Sequence, residues 1–214
     1  MAVLFPPGEF RELKKLLLIY GWGQKNLLTK LDILNQDFQA FHSNNPIENI
    51  RSRIKAPESI AQKLFTQNLE LTAANARAHV KDIAGVRIIC TFAKDIYVLA
   101  EILRSMPHTK VISEKDYVSS PKPSGYRGYH VAMEMPVYYS GEVENIPVEV
   151  QLRTAAMDFW ATLEHKVKYK YDEHIPPHLS DELVSCADQI AKLDDRMFII
   201  HNTISILNSN GQHE

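Results

Sequence analysis

The pattern of apolar positions along this chain predicts an α+β fold: a mixed β-sheet flanked by helices, with long helices at the N- and C-terminal ends. Three observations carry that prediction. Residues 9–42 hold apolar side chains at helical intervals, and a last helix is expected over 180–207. Between them the elements run two helices, strand, helix, three strands, helix, which is not the regular alternation of a doubly wound sheet. The chain has 214 residues, 45% of them hydrophobic, enough to fill one domain with a real core, so residues 1–214 read as a single unit with a core of about 46–170.

Taken in order, Leu13, Leu17, Tyr20, Leu27, Leu31, Leu34, Phe38 and Phe41 mark the first helix. The "GWG" at 21–23 interrupts it without changing its phase, so one long helix, kinked or straight, is expected, each glycine costing about 1 kcal/mol relative to alanine. "SNNP" at 43–46 reads as a loop. Pro57 and Glu58 suit the first turn of a helix reaching about Leu71, and Thr72 is placed to cap a short helix to Val80. "AGVRIICTF", 84–92, has the branched and aromatic content of a buried strand. An amphipathic helix over 94–106 and a strand over 109–118 follow. "SSPKPSG", 119–125, has the composition of a mobile loop. Strands over 128–139 and 144–154 flank Ser140-Gly141 as a hairpin. A helix at 155–170 carries Met157, Trp160, Leu163 and Val167 on a core-like stripe. "HIPPHLS" breaks it before the last helix, and the tail "NSNGQHE" is expected to fray.

Composition removes several function classes. No apolar run is long enough to span a bilayer, and "MAVLFPPGEF" lacks the basic lead and apolar stretch of a secretory signal. Two cysteines make no disulfide scaffold; Cys90, in "VRIIC", reads as a small hydrophobe, and a cytoplasmic protein is expected. Net charge is −2, from 24 basic and 26 acidic residues, which argues against a general nucleic-acid coat. The segment 51–63 is locally basic, with Arg51, Arg53, Lys55 and Lys63 against Glu58, and suits a small anionic ligand. The chain has neither G-x-x-x-x-G-K-[ST] nor G-x-G-x-x-G, no H-E-x-x-H, no C-x-x-C and no nucleophile elbow.

What remains is a set of charged residues at element ends. In "VEVQLRT", 148–154, the apolar positions alternate with Glu149, Gln151 and Arg153, so an acid, an amide and a base share one strand face. Asp82 stands at the start of the strand "DIAGVRIIC". If the two strands are neighbours, Asp82 and Glu149 can meet one Mg²⁺, which commonly takes one or two carboxylates plus substrate phosphates. Arg53 and Lys55 precede a helix whose first turn holds Ser59, with Lys63 four residues on: a cationic helix start suited to a polyphosphate. In "PKPSGYRGYH", Tyr126 lies among Lys122, Arg127 and His130, as an aromatic ring that stacks on a base amid cations would. Glu164 and His165 flank the stripe of the following helix. Each segment alone reads equally well as a solvated turn or a packed surface.

Together, "RIKAPESIAQK", "DIAGVRIIC", "KDYVSSPKPSGYRGYH" and "VEVQLRTAAMDFWATLEHK" resemble, in order and spacing, the ppGpp synthetase domain of the Rel/Spo family, over roughly residues 10–200. The absence of an "HD" dipeptide and of room for regulatory domains makes the chain similar to the small stand-alone alarmone synthetases of the RelP type. The resemblance implies a nucleotidyltransferase-like synthetase domain that moves the β,γ-pyrophosphate of ATP to the 3′-hydroxyl of GDP or GTP, with Mg²⁺, as a homotetramer closed by the terminal helices. It implies that Arg53, Lys55, Ser59 and Lys63 hold ATP phosphates, that Arg87 and Lys115 sandwich adenine, and that Asp82 binds the metal. Glu149 would approach the metal and activate the acceptor hydroxyl. Tyr126 would stack on guanine, with Lys122, Arg127 and His130 nearby and Gln151 and Glu164 completing the acceptor side. Gly128 departs from the serine that follows "GYR" in many relatives. Rival readings are a relative acting on the tRNA 3′ end and a non-catalytic nucleotide- or RNA-binding module.

Overall fold

The computed structural model describes residues 4–170 and 176–210. Helix α1 (Pro7–Phe41) leads into strand β1 (Ile47–Ile54) and helices α2 (Pro57–Thr66) and α3 (Ala73–His79). Strand β2 (Ala84–Cys90), helix α4 (Ala93–Ser105) and strand β3 (Lys110–Asp116) follow, then the hairpin β4 (Tyr129–Tyr139) and β5 (Glu142–Thr154). Helices α5 (Ala155–Lys170) and α6 (Pro177–Asn210) end the chain. The strands form one sheet in the order β1-β2-β5-β4-β3. The central β2–β5 pair is parallel and every other pair antiparallel, so the sheet is mixed, as predicted.

One sheet face is the core. Val86 and Ile88 of β2, Val131, Met133 and Met135 of β4, and Val148, Val150 and Leu152 of β5 are buried there. They share one hydrophobic cluster with Leu13, Leu27 and Leu31 of α1 and Ile96, Leu99 and Leu103 of α4. The period of two in each strand turns the intervening polar residues to the opposite face. Ser140 and Gly141 take positive φ values of 53° and 87°, the geometry of a two-residue hairpin turn.

Four local expectations need correction. Strand β1 was not foreseen; it is an edge strand with a single buried residue, Ile47, so it lacks the alternation that betrays a half-buried strand. Arg51 and Arg53 are therefore strand residues, not part of a turn. Helix α2 ends at Thr66, short of Leu71, because Asn68 adopts φ 55° and the Gln67 and Leu69 N–H groups return to the Leu64 carbonyl. As anticipated, α1 is one long helix through the "GWG", and Gly23 meets β5 closely: a Cβ there would lie 2.9 Å from Ile146 Cβ. Leu163, placed on the core stripe of α5, is 42% exposed, whereas Met157 and Trp160 are buried. Thr72 caps α3 by accepting from the Asn75 N–H at 3.1 Å, as anticipated. Helix α6 starts at Pro177, inside the break expected over 174–180, and runs to Asn210, into the tail expected to fray from 208; residues 171–175 and 211–214 lie outside the described residues. Among those described, no helix is long and apolar enough to cross a membrane.

Candidate active site

The polar face of the sheet is organised in two rows that follow from strand register. The first runs Arg51 (β1), Arg87 (β2), Gln151 (β5), His130 (β4), Lys115 (β3), each opposite the next. The second runs Arg53, Gly85, Glu149, Ala132, Ser113. Gly85 leaves the space between Arg53 and Glu149 without a side chain, and a cavity of about 230 Å³ opens above it. Arg51, Arg53, Arg87, Asp82, Glu149 and Gln151 line that cavity. The parallel pairing of β2 with β5 brings Asp82 and Glu149 to one site, as the sequence condition required.

Gln24 holds the cavity floor from beneath. Its side-chain amide, buried in α1, donates to the carbonyls of Arg53 at 2.8 Å and Gly85 at 2.9 Å, tying β1 to β2 beside the site. On the donor side, Lys55 Nζ lies 2.6 Å from Asp82 Oδ2 and Lys63 Nζ 2.8 Å from Oδ1. Burial pushes the Asp82 carboxyl up, but the hydrogen bonds and charges of the two lysines outweigh it and bring it down to about 2. Ser59 is exposed in the first turn of α2, outside the cavity lining.

Glu149 Oε1 is 3.3 Å from His130 Nδ1, and its Oε2 accepts from Gln151 Nε2 at 3.0 Å. Burial raises its pKa, yet these hydrogen bonds lower it overall, so Glu149 is a carboxylate at neutral pH. The charge of Asp82 acts on it in the opposite sense, which measures how near the two acids are. Among the described residues no group of three or more His, Cys, Asp or Glu is placed to hold a metal. Two carboxylates on one cavity nevertheless fit a magnesium ion that draws its other ligands from water and phosphate.

Other predicted site residues fall differently. Lys115 is exposed on the far edge strand, with β5 and β4 between it and Arg87, a separation of about 14 Å at normal strand spacing. Lys115 is not among the residues lining the cavity; the cations that share it with Arg87 are Arg51 and Arg53. Tyr126 is not an open platform: it is 9% exposed and packs in a small cluster with Trp160 and Ala187. Lys122 Nζ lies 4.8 Å from its ring centre. The 119–125 loop is pinned at its end, since a Cβ on Gly125 would lie 2.8 Å from the Ala187 Cβ of α6. Arg127 turns to the Val118 carbonyl at 3.1 Å and to Asp188 of α6 at 3.4 Å. Glu164 stands half-buried on α5.

Asp158 escaped the sequence reading, Arg51 was noticed only as part of a basic segment, and Arg153 was noticed without a role. The Thr154 hydroxyl accepts from the Met157 N–H at 3.2 Å and starts α5 directly from β5, which sets Asp158 in the first turn, facing the sheet. Its Oδ1 receives Arg87 Nη1 at 3.0 Å and Arg153 Nη1 at 3.2 Å, with Arg51 Nη1 3.8 Å from Oδ2. An acid in the first turn after a strand of alternating charge was the available signal.

A mixed sheet presenting two carboxylates and three arginines around one cavity is suited to an anion of nucleotide-polyphosphate type. The chain belongs to the RelA/SpoT family: the family model described as the region found in RelA / SpoT proteins matches residues 52–174. It is 42% identical over 191 residues to the GTP pyrophosphokinase YwaC of Bacillus subtilis, covering 89% of this chain and 91% of that protein. The crystal structure of small alarmone synthetase 2 from B. subtilis matches at TM-score 0.80 and 41% identity, over 89% of this chain and 98% of that one. Small alarmone synthetase 1 from the same organism, bound to its product pppGpp, matches at TM-score 0.82 and 31% identity, over 89% and 97%.

Proposed function

We propose that this chain is a GTP pyrophosphokinase that transfers the β,γ-pyrophosphate of ATP to the 3′-hydroxyl of GDP or GTP, with Asp82 and Glu149 at the reacting atoms. The observation that carries this reading is the meeting of Asp82, Glu149 and three arginines around the open floor at Gly85. The nucleophilic oxygen bonds to the β-phosphorus, the bond from that phosphorus to the α,β-bridging oxygen breaks, and AMP leaves with that oxygen. The hydroxyl proton passes to the Glu149 carboxylate and on to solvent. Such transfers depend on alignment and on neutralising charge, not on covalent chemistry by the protein.

Lys55, Lys63 and Arg53 hold the donor phosphates, with Ser59 at the helix start beside them. As phosphates arrive they compete with Asp82 for the two ammonium groups and free its oxygens. Asp82 and Glu149 would then hold Mg²⁺, which supplies charge neutralisation for the pyrophosphate. Arg87 and Arg51 border adenine; Lys115 is left out of that role by its distance across the sheet. Gln151 and His130 orient Glu149 toward the acceptor, and Lys122, Tyr126 and Glu164 complete that side. Stacking of guanine on Tyr126 requires the Lys122 side chain, 4.8 Å from the ring centre, to move aside, while the tyrosine hydroxyl stays in place. Substrates of this kind place the protein in the cytoplasm.

The test is incubation with γ-labelled ATP, Mg²⁺ and GDP or GTP, followed by nucleotide separation. Label is expected in ppGpp or pppGpp with equimolar AMP. Label found only on added tRNA, or no transfer at all, overturns the reading.

A further inference from the structure

Between the donor arginines and Glu149 runs an unbroken chain of buried charge and hydrogen bonds. Asp158 and Arg153 are 8% and 6% exposed, so neither is a solvated surface ion. Asp158 Oδ1 is shared by Arg87 and Arg153. Arg153 also donates to the Tyr126 hydroxyl, from Nε at 3.1 Å and Nη2 at 2.8 Å, and to Gln151 Oε1 at 3.0 Å. The same hydroxyl is 2.6 Å from His130 Nε2, and His130 Nδ1 faces Glu149.

Proton counting fixes the direction of this chain. A guanidinium only donates, so Arg153 fills the lone pairs of the Tyr126 oxygen. The tyrosine proton is then given to His130 Nε2, which must be the bare nitrogen. That leaves the proton on Nδ1, aimed at the Glu149 carboxylate. Gly128 makes the arrangement possible: at φ 156°, a Cβ there would stand 3.0 Å from the Tyr126 hydroxyl and 3.2 Å from Arg153 Cγ.

We propose that Asp158 and Arg153 are positioning residues of the pyrophosphoryl transfer, Asp158 aiming Arg87 and seating Arg153, and Arg153 setting the His130 tautomer that orients Glu149. The proposal rests on the functional reading above. It makes the Tyr126 hydroxyl a link in the chain, whatever its ring does.

The test is a mutant cycle on kcat. Arg153→Lys keeps the charge but loses the fork, and Tyr126→Phe breaks the next link; each is expected to lower kcat about tenfold, the loss typical of a charged hydrogen bond. Because both act through His130, the double variant is expected to be no slower than the worse single one. Asp158→Asn is expected to weaken binding of α,β-methylene-ATP about tenfold by calorimetry. Melting curves show that the folds are comparable. Independent losses that multiply, or unchanged kcat in Arg153→Lys together with unchanged analogue affinity in Asp158→Asn, overturn the proposal. If Arg153→Lys does not fold, or if the wild type shows no transfer, the ¹⁵N shifts of His130 decide. They are expected to report the Nδ1–H form in the wild type and its loss in Tyr126→Phe, and an Nε2–H form in the wild type defeats the proposal.

Discussion

At the scale of single residues, the site separates charge from room. Glu149 is ionised and held on both oxygens, which suits the proposed roles of aimed proton acceptor and metal contact. Glu149→Gln keeps the shape and removes the charge. It is expected to lower turnover by roughly 10²–10⁴-fold with little change in melting, as loss of a general base does; near-wild-type turnover in the folded variant rules the role out. Gly85 contributes the room. Its added Cβ would have only the Arg53 carbonyl near it, at 3.9 Å, so Gly85→Val is expected to fold normally yet fill the cavity floor. Loss of ATP-analogue binding with an unchanged melting curve is the expected signature; intact binding places the donor elsewhere. Glu149 and Asp82 were legible because alternation and a strand start put acids where a core pattern does not need them. Asp158 and Gln24 were not, and Arg51 only as one of a basic segment, because their roles arise from β1, β2, α1 and α5 meeting in space. The burial of Tyr126 was equally hidden, since Trp160 and Ala187 lie far along the chain.

At the scale of elements, two glycines of α1 that look alike in sequence differ in the fold. Nothing lies within 4 Å of a Cβ on Gly21, whereas one on Gly23 meets Ile146 at 2.9 Å. Gly21→Ala is expected to stabilise the protein by up to about 1 kcal/mol through helix propensity. Gly23→Ala is expected to destabilise it by about 1–3 kcal/mol through overpacking against β5. Urea denaturation of both variants checks the pair, and equal shifts would remove the close-approach account. The period-two strands and the hairpin turn were readable because local pattern alone specifies them, while edge strand β1, exposed on most of its residues, offered no such period. A second element-scale tie joins α3 to the hairpin: Glu144 receives Arg77 and the Tyr139 hydroxyl, the latter at 2.5 Å. The Tyr139 hydrogen bond, followed by those from Arg77, lowers the Glu144 pKa below its ordinary 4.5 despite partial burial. A lowered folded pKa stabilises above the unfolded value, and the contribution fades as pH falls through the folded one. Glu144→Gln is therefore expected to cost on the order of 1 kcal/mol or less at pH 7, with the gap closing below pH 4.5. A gap that stays constant from pH 7 to pH 3 shows that the charge is not what matters.

At the scale of the whole molecule, α6 has two faces with different work. Its inner side is anchored to its own chain. Trp160 Nε1 donates to the Leu183 carbonyl at 2.9 Å, and Phe92 meets the Phe198 ring at 5.3 Å and the His201 ring at 4.8 Å. Its outer side carries Leu193, Met197, Ile200, Ile204 and Leu207, each at least half exposed. Their spacing of four, three, four, three is the heptad seam by which helices pack on one another. Each residue is already partly buried, so covering the remainder would gain roughly 1–2 kcal/mol apiece, a substantial contribution over five residues. A second copy of the same helix would present the matching seam and close a symmetric contact, which is the assembly proposed here. Met197→Glu combined with Ile204→Glu places like charges in the middle of that seam, on residues that leave the inner anchors untouched. Sedimentation of the wild type is expected to give an assembly of several chains, consistent with a homotetramer, and the double variant a smaller species whose helix content is unchanged. A wild type that sediments as a single chain, or a double variant of undiminished mass, refutes assembly through α6.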